Sequence, residues 1–129
     1  MTRDELPRPT DAELAILRVL WDRGPSTVRQ VYEQMTRSGR DVGYTTALKL
    51  LQIMADKGLV VRDESQRTHV YAARQKQEQT QRQLVRDLLD RAFDGSAAQL
   101  VMQALSAKRA KPEELEQIRK LLDEMGRPS

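Results

Sequence analysis

Between residues 42 and 58 the apolar and polar positions separate onto two sides of one helical pattern. Ala47, Leu50, Leu51 and Met54 recur at i, i+3, i+4 and i+7, while Thr45, Lys49, Gln52 and Asp56 fall on the opposite side. The spacing predicts a helix with one face in a core. Lysine, glutamine and threonine on the other face are residue types that read base edges in a DNA major groove. Lysine pairs with guanine, glutamine with adenine, and the threonine methyl packs on thymine. A merely solvated helix face has a similar composition, so this stretch alone leaves both readings open.

The flanking segments narrow the choice. Thr10-Asp11-Ala12-Glu13 is a capping box behind an extended Leu6-Pro7-Arg8-Pro9 arm, and it opens a helix that runs to about Arg23 and stops at Gly24-Pro25. Leu14, Leu17 and Trp21, joined by Ile16 and Leu20, give this helix a broad apolar face on which Trp21 reads as packing. Ser26-Thr27 offers the cap of a second helix, where Val28, Val31, Tyr32 and Met35 repeat the pattern before Ser38-Gly39 ends it. Three short helices in succession, the third with a polar outer face, form the helix-turn-helix arrangement.

After Gly58 the period changes from helix to strand. Residues 59–64 and 68–73 are β-rich runs joined by the polar tip Ser65-Gln66-Arg67, and a hairpin directly behind the third helix is a wing. Arg62 and Arg67 stand where a wing meets phosphate or the minor groove, although surface arginines also serve solubility alone. His69, the only histidine, has no partner at ligand spacing and reads as a polar surface residue of the hairpin.

The second half of the chain carries a different pattern. Residues 75–83 are polar yet helix-compatible and read as a spacer, after which Leu84, Val85, Leu88, Leu89, Ala92 and Phe93 form an apolar stripe ending at Asp94-Gly95. Ser96 caps a helix bearing Leu100, Val101, Ala104 and Leu105. Pro112 opens a last helix with Glu113 and Glu114 in its first turn, and Leu115, Ile118, Leu122 and Met125 follow at alternating spacings of three and four. Gly126 and Pro128 close it. Three short helices bury little by themselves, so Leu88, Leu100, Val101, Leu115, Ile118, Leu122 and Met125 are expected at a homodimer interface. In the competing arrangement these helices fold back on the winged domain of their own chain.

Composition changes this picture mainly by exclusion. A chain of 129 residues fits one ordinary domain or two small ones that share a core through oligomerisation. With no cysteine, disulfides, thiolate metal sites and a cysteine nucleophile are ruled out. The net charge of +3, from 22 basic and 19 acidic residues, is compatible with nucleic acid but too mild to argue for it. No apolar run reaches the length of a membrane span, and Met1-Thr2-Arg3-Asp4-Glu5 lacks the apolar core of a signal peptide, so a cytoplasmic protein is expected. There is no histidine pair, glycine-rich phosphate loop or nucleophile elbow. Neither an enzyme nor a cofactor or metal site is therefore expected.

Four groups of residues together resemble the penicillinase-repressor family: Asp11-Ala12-Glu13-Leu14 leading to Leu20-Trp21, Gly43-Tyr44-Thr45-Thr46, Asp56-Lys57-Gly58-Leu59-Val60 and His69-Val70-Tyr71. The resemblance runs from about Pro9 to Met125. It implies a homodimeric winged-helix repressor on a palindromic operator, with DNA contacts at Thr45, Thr46 and Lys49. In β-lactam-responsive members a membrane-bound sensor protease leads to cleavage of an Asn-Phe bond in the helix matching residues 97–108. The corresponding bond here is Gln103-Ala104. Copper-responsive members carry a cysteine-rich C-terminal site, which a chain without cysteine does not have.

The expectation is thus a mainly α chain with a small β-hairpin. A winged helix-turn-helix DNA-binding domain over residues 1–74 precedes a three-helix dimerisation domain over residues 75–129. Tyr44, Thr45, Thr46, Lys49, Gln52, Arg62 and Arg67 are the candidate contacts to double-stranded DNA. The alternative is a winged-helix module that binds protein through the same helix face. Such a face would expose apolar or aromatic anchors where this one has Thr45, Lys49 and Gln52.

Overall fold

The computed structural model describes residues 7–127. Leu6 of the expected arm, the Met1-Thr2-Arg3-Asp4-Glu5 stretch and Pro128 lie outside them. The chain runs α1 (Asp11–Arg23), β1 (Ser26–Thr27), α2 (Val28–Arg37), α3 (Tyr44–Lys57), β2 (Val60–Asp63), β3 (Val70–Ala73), α4 (Gln77–Ala92), α5 (Ala97–Ala107) and α6 (Pro112–Met125). It forms two compact units that meet within α4, between Val85 and Arg86. Among the described residues no helix is long and apolar enough to cross a membrane.

The first unit is built from caps and a single core. Thr10 Oγ1 accepts from the Glu13 amide at 3.2 Å while Glu13 Oε1 accepts from the Thr10 amide at 2.9 Å, which is the reciprocal box that starts α1. Thr27 and Gln30 repeat the device at α2. Gly58, in the left-handed conformation that favours glycine, ends α3 with its amide on the carbonyls of Met54 and Ala55. Ile16, Leu17 and Leu20 of α1, Val31 and Met35 of α2, and Ala47, Leu51 and Met54 of α3 are all buried. Leu59, Val60 and Tyr71 complete the cluster from the sheet side. Leu50 is half-buried at its edge, and Val19, absent from the expected stripe, lies within it.

Three features of this unit differ from the sequence expectation. The hairpin is part of a three-stranded antiparallel sheet of order β1-β3-β2, in which Ser26 and Thr27 pair with Tyr71 and Val70. Two residues are too few to show an alternating pattern, so the cap of α2 concealed the strand. The wing tip is longer than three residues, because pairing ends at Asp63 opposite Val70. Finally, much of the polar run 75–83 belongs to α4, and Thr80 is buried. Trp21 explains part of this ordering: its indole N–H donates to the Gln75 carbonyl at 3.0 Å, fastening the segment that follows β3 to α1.

The second unit is helical and open. Asp94 and Gly95 both adopt positive φ, and the Gly95 amide returns to the Leu89 carbonyl at 2.8 Å to end α4. Ser96 Oγ accepts from the Gln99 amide at 3.1 Å and starts α5, as its position predicts. Glu114 reaches back to the Lys111 amide at 2.9 Å beside Pro112, which starts α6. None of the described residues from 86 onward is buried.

Candidate nucleic-acid interface

On α3 the periodicity distributes functional side chains over two adjoining surfaces. Ala47, Leu51 and Met54 hold the helix on the core, which leaves Thr45, Thr46, Lys49 and Gln52 exposed. Lys49 makes no ion pair among the described residues, so its ammonium is free to meet an incoming acceptor. Ile53, also on this helix, is exposed and apolar.

Beside that surface, Tyr44, Leu48 and Gln52, one helical turn apart, form one wall of a groove of about 560 Å³. Arg29 at the start of α2 contributes a second wall, and Arg62, Arg67 and His69 of the wing contribute the third. No Asp or Glu lines the groove. Of the expected contacts, the structure therefore brings Tyr44, Gln52, Arg62 and Arg67 to one place. Thr45, Thr46 and Lys49 occupy the neighbouring exposed positions of α3 and do not line it.

Tyr44 is exposed yet also packed on α2. Its ring meets Tyr32 edge-on, with centroids 5.9 Å apart, and the Arg29 guanidinium carbon stands 5.1 Å from its centroid. Both distances fall in the range of attractive aromatic and cation–π contacts. Arg62 is engaged as well: Tyr71, its cross-strand partner, and Glu64 raise its pKa, and its Nε donates to Glu64 Oε2 at 2.7 Å. A phosphate approaching Arg62 competes with Glu64, whereas Arg67 has no such partner among the described residues.

Nothing in the sequence distinguishes Arg29 from other surface arginines, and His69 reads there only as a surface residue of the hairpin. A lone basic residue in the first turn of a helix carries no signal in sequence. Its significance comes from the approach of α2 to the first residue of α3.

An ion pair between a buried carboxylate and a partly exposed lysine holds the far end of α3. Lys57 Nζ donates to Glu13 Oε1 at 2.8 Å, and Glu13 is only 3% exposed. Burial alone pushes the Glu13 carboxyl up, but the hydrogen bonds from Lys57 and the Thr10 amide, together with the Lys57 charge, outweigh it and bring its pKa below the ordinary value. The capping glutamate of α1 thereby fixes the C-terminal turn of the helix that carries Lys49 and Gln52.

In the second unit, the residues expected at a dimer interface are largely uncovered. Leu88, Val101 and Leu115 are exposed, Leu122 and Met125 are 61% and 72% exposed, and Leu100 and Ile118 are half-buried. Met102 and Leu121 add to this apolar surface. Gln103 and Ala104 are exposed within α5, so their peptide bond is at the surface but in helical form.

The model of the family described as penicillinase repressor matches residues 9–124. The transcriptional regulator BlaI of Mycobacterium tuberculosis, in strains CDC 1551 / Oshkosh and ATCC 25618 / H37Rv, is 34% identical over 122 residues, covering 94% of this chain and 87% of that protein. Among solved structures, Bacillus licheniformis BlaI in its monomeric form, in complex with the blaP half-operator, superposes with a TM-score of 0.50 at 20% identity. It covers 57% of this chain and 89% of that one. The DNA-binding domain of the repressor BlaI likewise gives 0.50 at 20% identity, over 58% and 90% of the two chains. The solved structures share the winged-helix fold, and with the family model and the curated relative spanning nearly its whole length, this chain belongs to the penicillinase-repressor family of transcriptional regulators.

Proposed function

We propose that the chain represses transcription as a homodimer on a palindromic operator, with α3 in the major groove and the wing on the flanking backbone. The observation that carries the dimer is the absence of any buried residue among those described from 86 onward, although Leu88, Val101, Leu115, Leu122 and Met125 lie there. Apolar side chains of this size each contribute about 1.5–3 kcal/mol when fully buried. A second copy offers the same stripes and buries both sets. The monomeric relative bound to a half-operator supports one winged unit per half-site.

Tethering two such units makes the second contact intramolecular and raises affinity without any new base contact. The two copies of α3 then enter major grooves about 34 Å apart, or a multiple of that distance. Thr45, Thr46, Lys49 and Gln52 read bases, and Tyr44, Arg62 and Arg67 orient the domain. Such a protein acts in the cytoplasm, where its operator lies. Cleavage of the Gln103-Ala104 bond by a membrane-bound sensor protease would separate the reading units from their shared core and lift repression. Because the bond lies within α5, the protease must act on a locally opened helix.

Footprinting and sedimentation of the purified chain test this directly. A two-fold symmetric footprint in the promoter of its own gene and a dimeric mass are expected. A monomer that protects no duplex at low ionic strength would refute the reading, as would binding that is indifferent to salt.

A further inference from the structure

We infer that Arg29 is a DNA-backbone contact, presented by Tyr44, and that the acid-free groove between α2, α3 and the wing receives one phosphate strand beside the bases read by α3. The inference rests on the proposed DNA-binding function and assigns a contact to a residue on neither α3 nor the wing.

Three observations support it. First, Arg29 of α2 and Arg62, Arg67 and His69 of the wing line the same groove, and no Asp or Glu lines it with them, Glu64 pairing with Arg62 from outside the lining. An acid-free concavity attracts a polyanion. Second, Arg29 has no ion pair among the described residues, and its packed partner is the Tyr44 ring at 5.1 Å. A ring face orients a guanidinium without consuming its N–H donors, which remain available for bidentate contact with phosphate. Third, Tyr32 holds Tyr44 edge-on from α2. The platform is therefore packed before DNA arrives, and it sits on the first residue of the reading helix. A phosphate fixed by Arg29 thus sets the depth and register of α3 in its groove, a positioning role that carries no base preference of its own.

The test is a salt titration of the full-length protein on a random-sequence DNA duplex, followed by anisotropy. The log of affinity falls with the log of salt by about 0.9 for each phosphate neutralised. Arg29→Gln should lower the slope by about one such unit per winged unit. Wild-type affinity then falls about threefold further, per winged unit, than that of the variant between ~50 and ~200 mM salt. Arg29→Lys should keep the slope because it keeps the charge. Circular dichroism of each variant checks that the fold is intact. Equal slopes for wild type and a folded Arg29→Gln would overturn the assignment while leaving the DNA-binding proposal standing, as would a slope lost as fully in Arg29→Lys as in Arg29→Gln. A wild-type protein without salt-dependent binding would instead remove the reading on which the assignment rests.

Discussion

The two units of this chain use apolar residues in opposite ways. In the winged unit Leu51, Met54, Val31 and Tyr71 are buried among one another, and even the glutamate that caps α1 finds a lysine. In the helical unit, residues of the same chemistry, Leu122, Met125 and Met102, face outward. The first arrangement is a finished core. The second leaves its apolar stripes uncovered, and the proposed homodimer would bury them. This division of labour suits the proposed repressor, in which the winged unit would touch DNA with a core of its own while the helical unit would set affinity through association.

Removing the helical unit should have the largest effect. Truncation after Val85 keeps the Gln75 carbonyl that accepts from Trp21 and the buried Thr80, both of which a truncation after Arg74 discards. The fragment should remain folded and monomeric while operator affinity falls by roughly 10²–10⁴-fold through loss of tethering. A dimeric fragment in sedimentation would erase the contrast between the units.

Next in size is a pair of opposed substitutions. Leu51→Ala opens a cavity in a fully buried site and should cost about 2–5 kcal/mol in denaturant unfolding of the winged fragment. Leu122→Glu, on an exposed site of α6, should leave the unfolding midpoint of the winged unit within the full-length chain unchanged and shift that chain toward monomer. If Leu122→Glu has no effect on association, the α6 stripe is not the shared face.

The reading surface gives a smaller effect. Lys49→Ala and Gln52→Ala should each cost about 1–3 kcal/mol on the cognate operator and little on random DNA. Equal losses on both duplexes would move these residues from base reading to backbone contact.

The smallest expected effect concerns the Glu13–Lys57 pair within the winged unit. Because the folded Glu13 pKa is depressed, its contribution is present above the ordinary glutamate value and is lost as pH falls through the folded value. Lys57→Met leaves a buried carboxylate without its cation and should cost about 1–3 kcal/mol at neutral pH. The deficit relative to wild type should shrink in acid, once Glu13 is protonated in both proteins. Urea unfolding at pH 7 and near pH 3 would show this, and a deficit that grows in acid would contradict the sign.

What the amino-acid sequence determined by itself was local. Capping boxes at Thr10, the helical period of Ala47, Leu51 and Met54, and the change of period after Gly58 depend on residues a few positions apart, so elements and faces could be read directly. The same periodicity identified the outward positions of Thr45, Lys49 and Gln52, and the apolar stripes of α5 and α6. Only the tertiary structure decided what depends on distant segments meeting. It paired Ser26 and Thr27 with β3, joined Glu13 to Lys57 and set Arg29 over Tyr44. It also drew the polar run around Thr80 into the first unit. The paired contacts join residues of different elements, and no pattern of neighbouring residues encodes which surfaces will close on one another when the core packs.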